Sequence, residues 1–410
     1  MPADSRISLR FGINYFLLFA VYGVASPYLQ VMVRRLGYNA LLVGIFLGMF
    51  ELVGIAGPIV LARMADRTGR HRPLLIVSAL LVLAGLMVLI ALPMAVATML
   101  GLSMLALGLK TAVPVLDAFL LQTIEIARLQ GVRSPDYGIL RATGSAGFVL
   151  IAMLAQLTPG FETSTPFVMA GAMGVLTLAH LAGLWLLPEH GVPVDATAEK
   201  ACAPPQESPA PQNTAGTFKV AQYLSGMGGR TAAWPDHVFL LGLAVIALSR
   251  LAMAPIGSFF SLYVTEELHV QAIGGLWALS AASEIPFIIL SWKFIRRYSP
   301  MFAIAIASWA IVARLLIYAL FPSPAGAIAG QLLHSLCYGM FQPAAVAFIH
   351  LKTPPELRTT GMALFMGAGI GLPSFLGSML GGALVEHAGY RILFGTFAFF
   401  ALASIILYRV

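Results

Sequence analysis

Residues 114–147 read PVLDAFLLQTIEIARLQGVRSPDYGILRATGSAG. One apolar segment ends here and another begins, so Asp117 sits near the end of the first and Arg141 near the start of the second. A charge at the centre of a bilayer-spanning helix costs about 2.5–3.5 kcal/mol on insertion scales. Two opposite charges on consecutive helices can relieve each other, or can hold a polar or ionic ligand between them. The rest of the chain reads as the scaffold that brings such a pair to the middle of a membrane.

The composition points the same way. The 410 residues are 59% hydrophobic and only 10% charged, with a mean hydropathy of +0.88. Soluble domains carry about 25% charged residues, so this is a polytopic membrane protein. Its net charge of +7 is explained by topology markers in the loops and not by nucleic acid. Cys202 lies in a Pro/Ala-rich loop and Cys337 in an apolar segment, so no disulfide framework is expected. Arg6 and Arg10 precede an apolar stretch too long for a signal-peptide core, which predicts an uncleaved first helix. There is no G-x-x-x-x-G-K-[ST] phosphate loop, so ATP-driven transport by this chain alone is not expected. No metal cluster or nucleophile constellation points to an enzyme, and no cofactor or metal is implied.

A spanning helix needs about 20 mainly apolar residues. The pattern predicts twelve spans, at 10–32, 41–63, 73–93, 95–121, 138–158, 166–187, 237–263, 270–292, 300–320, 324–350, 360–384 and 390–408. This is an all-α membrane protein with three parts: a six-helix bundle at 1–187, a Pro/Ala-rich cytoplasmic linker at 188–236, and a second six-helix bundle at 237–410. The linker contains CAPPQESPAPQNTAG, too polar and too proline-rich to fold alone. On the side of the N-terminus fall seventeen Lys and Arg residues, against Arg34, Arg35 and Arg391 on the other. That bias places both termini in the cytoplasm of a multi-pass inner-membrane protein.

The two halves look duplicated. Pro27 and Pro255 are 228 residues apart, as are Pro58 and Pro286, while Pro73 and Pro300 are 227 apart and Pro114 and Pro343 are 229 apart. Six helices per half in the same orientation make a parallel repeat, with the binding site expected at the repeat interface near the bilayer midplane.

Several polar groups inside the spans are candidates for that site. Lys110 lies seven residues before Asp117, on the same side of the helix but roughly 10 Å along it, too far to neutralise it directly. Asp117 and Arg141 either meet substrate or protons, or form a fixed pair pinning two helices. Glu51 is central in the second span with no obvious local partner; it is a proton site or the partner of an unseen base. In the tenth span, Gln331, His334, Tyr338 and Gln342 fall along one helical face. Arg314 and Glu284 are candidates to face them, and Glu284 stands beside Pro286, where a freed carbonyl makes polarity cheaper. Arg250, Gly257 and Ser261 line one face of the seventh span. In the first, Asn14, Tyr22, Ser26 and Gln30 read as a pore-facing stripe, the alternative being ordinary interhelical hydrogen bonding.

The loop LARMADRTGRHRP contains Asp66, Arg67, Gly69, Arg70 and Arg72. It resembles the major facilitator signature between helices two and three, with the D-R-x-G-R core intact and Ala62 at the usual leading glycine. The resemblance implies a major facilitator fold and a cytoplasmic latch formed by these residues. The matching loop KFIRRYSP at 293–300 keeps bases but no acid.

P-x-x-D-A-F at 114–119 followed by Y-G-x-x-R at 137–141 resembles lactose permease and the phenylpropionate permease family, as do the acid at Glu284, the arginine at Arg314 and the histidine at His334. Gln331 and Cys337 stand where lactose permease has a lysine and a glutamate, and LHSLCYGMFQPAAVAFI is closer to the phenylpropionate pattern. The resemblance implies alternating access and import of a small organic anion, such as an aromatic acid, by proton symport. The expected substrate-binding residues are Asp117, Arg141, Lys110, Arg250, Arg314, Tyr22 and Tyr338. The expected proton-coupling residues are Glu51, Glu284 and His334. The expected partners are a small-molecule substrate, protons and the lipid bilayer, with the chain acting as a monomer. The alternatives are a sugar or nucleoside proton symporter, and an exporter of drugs or siderophores. The fifth span, GILRATGSAGFVLIAML, lacks the Gly-Pro of drug antiporters, which counts against the exporter.

Overall fold

The computed structural model describes residues 3–62, 64, 69–92, 94–129, 135–188 and 234–409. Their secondary structure is helical, with turns between the helices, and most helices are built on an apolar run of spanning length. The first six are α1 (Ala3–Arg35), α2 (Ala40–Gly57, prolonged as a π-helical turn over Pro58–Ala62), α3 (His71–Ala91), α4 (Ala95–Leu129), α5 (Tyr137–Leu157) and α6 (Pro166–Leu184). The second set opens with α7 (His237–Leu262, with a π turn at Tyr263–Glu267), α8 (Ile273–Arg297) and α9 (Pro300–Leu320). It closes with α10 (Pro324–Lys352), α11 (358–388) and α12 (390–409).

Among the described residues, ten stretches are long and apolar enough to cross a membrane. The last of them, Pro355–Arg409, is broken at Gly389 (φ 78°, ψ 177°) into α11 and α12. Only glycine adopts that backbone without strain. The 25-residue α8 is about 37 Å long, against a hydrocarbon core of about 30 Å. Twelve crossings result.

Helix starts follow from local chemistry. Asn39, Asp136, Asp236, Ser299 and Ser323 each cap a helix, accepting from the backbone N–H of Leu42, Ile139, Phe239, Phe302 and Gly326. Pro166, Pro300 and Pro324 stand in first turns, where the missing N–H is harmless.

Large apolar side chains such as Met87, Val96, Ile139 and Phe399 are exposed, as a lipid-facing surface requires. Three buried clusters hold the helices together. One, around Phe11, Leu75, Phe119 and Leu140, belongs to the first six helices. Another, around Phe239, Ile304, Phe341 and Phe348, belongs to the last six. The third joins both sets, from Tyr28 and Val43 to Phe259, Tyr263, Tyr318 and Phe394.

The two sets meet mainly where α2 packs on α11 and α5 on α8. Matching each helix to the one six places on turns the first contact into the second. Small residues allow the approach: a Cβ at Gly44 of α2 would lie 2.3 Å from the Ser378 carbonyl of α11. Hydrogen bonds between the sets gather on the face away from the termini. They include Gln30 Nε2 to the Gly257 carbonyl at 3.3 Å, Ser261 Oγ to the Pro27 carbonyl at 2.6 Å, Arg34 to Glu266 at 2.9 Å, and the Ala40 N–H to Glu386 at 2.8 Å.

This corrects the reading of the first span. Asn14 is fully buried and donates to the carbonyls of Arg10 and Gly183. Gln30 joins α1 to α7. Both serve interhelical bonding and do not line a pore, because a polar stripe of helical period looks the same whether a neighbouring helix or water faces it. Of the expected latch, Asp66 and Arg67 lie outside the described residues. Gly69 has φ +64°, Arg70 is exposed, and Arg72 is buried with its guanidinium 4.6 Å from the Trp185 ring. Nearly all of the expected linker also lies outside the described residues.

Candidate functional site

Charged groups from seven helices cluster in the middle of the helix bundle, and they fall into three groups. The first joins α1, α4 and α5. The Tyr15 hydroxyl donates to Asp117 Oδ1 at 2.5 Å. Arg141 Nε lies 3.8 Å from the same oxygen, and the two side chains are 33% and 24% exposed. At that distance Arg141 pairs with Asp117 by charge but makes no hydrogen bond to it. Its guanidinium lies 4.2 Å from the Phe19 ring centroid, a cation–π contact.

The second joins α2 and α4. Lys110 Nζ donates to Glu51 Oε1 at 2.7 Å, and the ammonium sits 5.3 Å from the Phe50 ring. Glu51 therefore has a partner, which sequence inspection did not find because it lies 59 residues away on another helix. Gly54 permits the approach: a Cβ there would press on the Lys110 side chain.

The third lies in the second six helices. Arg314 of α9 is 1% exposed. Its guanidinium donates to Tyr318 Oη at 3.0 Å, His334 Nδ1 at 3.0 Å and Gln331 Oε1 at 2.5 Å. A guanidinium has no acceptor, so His334 Nδ1 must accept and the ring proton resides on Nε2. That nitrogen faces Glu284 Oε2 at 3.9 Å. Tyr338 stacks on the His334 ring with centroids 5.5 Å apart, and Arg250 of α7 lies 5.6 Å over Tyr338. Arg250 Nε is buried with no hydrogen-bond partner. The α10 backbone widens into a π turn over Ser335–Met340, so Gln342 leaves the even helical stripe and its Oε1 is buried without a partner.

The groups face each other between the two sets of helices. Arg141 acts on Glu284 by charge, Arg250 acts on Glu51, and the Tyr22 hydroxyl senses Glu51, Arg141 and Tyr338. The structure thus brings together Asp117, Arg141, Lys110, Glu51, Arg250, Glu284, His334, Tyr22 and Tyr338. Arg314 lies behind them, committed to three partners, and the Tyr22 hydroxyl donates to the Leu109 carbonyl at 2.7 Å. Ser261 and Gly257 belong to the interface with α1. Sequence reasoning missed Tyr15 and Phe19, although their spacing to Tyr22 on α1 is a helical one.

The Arg314 fork yields a direct expectation. Arg314→Lys should lower stability by about 1–3 kcal/mol, because one ammonium cannot reach three acceptors at once and leaves buried polar atoms unpaired. Thermal unfolding of the purified protein in detergent measures it.

Comparison with known proteins follows this geometry. The model of the MFS_1 like family matches residues 8–396. The chain is 23% identical over 383 residues to a maltose permease from Geobacillus stearothermophilus, covering 92% of this chain and 87% of that one. A crystal structure of the nucleoside transporter NupG superposes with a TM-score of 0.74 at 16% identity, covering 98% of both chains. A POT family transporter in complex with 5-aminolevulinic acid superposes with a TM-score of 0.66 at 11% identity, covering 99% of this chain and 95% of that one.

Proposed function

Because the chain belongs to the MFS_1 like family and is a membrane transporter of the major facilitator type, we propose that it imports a small organic anion together with protons by alternating access. An aromatic acid such as 3-phenylpropionate represents the class. The observation that carries this reading is the charge balance between the helices. Lys110, Arg141, Arg250 and Arg314 stand against Glu51, Asp117 and Glu284. Glu51 is matched by Lys110, and Asp117 is already bonded by Tyr15. Arg141 Nε stands beyond hydrogen-bond reach of Asp117, and Arg250 keeps a buried Nε with no hydrogen-bond partner. A substrate carboxylate would balance the surplus charge through charge-assisted hydrogen bonds. The rings of Phe19 and Tyr338, beside those two guanidiniums, would meet an aromatic substrate body.

In this reading Arg141 and Arg250 hold the carboxylate, with Asp117, Lys110, Tyr22 and Tyr338 around it. Arg314 positions His334. Glu284, His334 and Glu51 are the proton-linked groups. The chain works as a monomer in the inner membrane with both termini cytoplasmic, so the face closed by α2–α11 and α5–α8 is the outer one. Asp66, Arg67, Gly69, Arg70 and Arg72 form the latch on the inner side.

A second reading is proton symport of a sugar or nucleoside. It is supported by the likeness to maltose permease and NupG and by the Asp117–Tyr15 pair, which could accept and donate to hydroxyls. Uptake into proteoliposomes separates the two. Labelled 3-phenylpropionate, other small carboxylates, lactose, maltose and nucleosides would be offered with and without an inside-alkaline gradient. Uphill accumulation of a carboxylate that a protonophore collapses is the expected result. Accumulation of a sugar or nucleoside alone would replace the anion reading with the second.

A further inference from the structure

Glu162 is a carboxylate that the fold buries outside the charged cleft. It lies in the turn between α5 and α6, is 4% exposed, and reaches to the other set of helices. Its Oε1 accepts from the N–H of Gly274, in the first turn of α8, at 3.2 Å, and from the Tyr28 hydroxyl of α1 at 3.2 Å. Its Oε2 is buried with no hydrogen-bond partner. Arg35 of α1 fixes the turn by donating to the backbone carbonyls of Glu162 and Ser164, both at 2.6 Å. Gln156 of α5 accepts from the Gly275 N–H at 3.2 Å and donates to the Gln271 carbonyl at 2.7 Å. The approach is close: a Cβ at Gly274 would lie 2.2 Å from the Ala152 carbonyl and 2.8 Å from the Tyr28 oxygen.

A carboxyl group at a helix N-terminus is favourable, but here the favourable contact exists only while the two sets of helices are closed. Opening this face takes Gly274 away and puts Glu162 in water. Its proton affinity therefore differs between the two states. We propose that Glu162 is a proton-binding site that governs closure of this face: the closed state takes up a proton at Glu162, and opening returns it to the same side.

Burial holds the Glu162 carboxyl above the usual carboxylate range, outweighing the Gly274 and Ile273 amides, the Tyr28 hydroxyl and the Arg35 charge. An ionised Oε2 would be an unpaired buried charge, which costs more than an unpaired hydroxyl. The sign follows by linkage. A group whose affinity is raised in the closed state favours closure at low pH, and closure weakens as pH rises through the closed-state pKa. The titratable and charged groups facing it are Tyr28 and Arg35 from α1. The other carboxylates on this face have partners of their own: Glu266 with Arg34 and Tyr390, Glu267 with Arg391, and Glu386 with the Ala40 N–H. Because the proton returns to the side it came from, this site regulates turnover and is separate from any transported proton.

The test reads distance between spin labels at Thr165→Cys and Ala388→Cys, both exposed on this face, in the full chain carrying Cys202→Ser. No substrate is added, so the result is independent of what the cleft carries. Between about pH 5 and pH 8 the wild-type short-distance population should fall as pH rises. Glu162→Gln keeps an acceptor oxygen but cannot titrate, so it should stay closed throughout. Tyr28→Phe removes a donor to the carboxylate and should move the midpoint to higher pH. It decides the matter even if the glutamine variant fails to fold. A flat wild-type profile, a Glu162→Gln variant that keeps the wild-type profile, or a Tyr28→Phe midpoint that does not move would each overturn the proposal.

Discussion

Arg141→Ala should reduce transport to background, and adding Asp117→Ala should not restore it. The geometry motivates both halves of this expectation. Asp117 does not depend on Arg141 alone, because the Tyr15 hydroxyl bonds the same oxygen at 2.5 Å. Arg141 is held by the Phe19 ring and lies 3.8 Å from Asp117, beyond a hydrogen bond. Losing Arg141 therefore removes a ligand group and leaves Asp117 partly satisfied. A merely structural ion pair behaves otherwise. There, removing one partner strands the other, and removing both restores much of the loss. Losing one bidentate guanidinium contact to a carboxylate is worth about 2–4 kcal/mol, or roughly thirty- to a thousand-fold in uptake efficiency. Rescue by the double change, measured as initial uptake rate at matched protein amounts, would refute the ligand role.

Gly44→Leu should abolish transport while leaving the protein folded. The Cβ at this position would lie 2.3 Å from the Ser378 carbonyl and 2.9 Å from Gly382 Cα. Both are backbone atoms, so no side chain can swing away. α2 and α11 must separate, and with them goes the Ala40–Glu386 contact that closes this face. Each set of helices keeps a buried cluster of its own, so overall helicity should persist. Hydrogen–deuterium exchange reads the consequence without labels. Residues 40–48 and 378–386 should exchange faster in the variant than in the wild type. Unchanged exchange together with normal uptake would mean that this contact does not limit the cycle.

Much of the architecture was legible in the sequence because it rests on period and composition. The twelve apolar runs act locally, each long enough to form its own helix, and twelve crossings follow. The ends were less legible. α4 continues to Leu129, past the expected end at 121, because its polar last turns remain good helix formers with Glu125 and Arg128 three residues apart. At the site, the residue types could be read but not their partners. Glu51 meets Lys110 through a gap opened by Gly54, but that partner stands 59 residues away on another helix. Asn14 and Gln30 show the converse error: they have the period of a pore stripe and pack against neighbouring helices. Glu162 was overlooked because it lies in a short turn outside every span, where an acid is unremarkable until the fold buries it.

The most direct measurement is the transient current of purified protein in proteoliposomes on a solid support, challenged with 3-phenylpropionate at several pH values. A current that depends on pH and vanishes in Arg141→Ala is the predicted result, because substrate carboxylate and proton then share one cleft. A current of equal size in Arg141→Ala, or a response to lactose, maltose or a nucleoside with none to any carboxylate, would contradict the assignment of an organic-anion symporter.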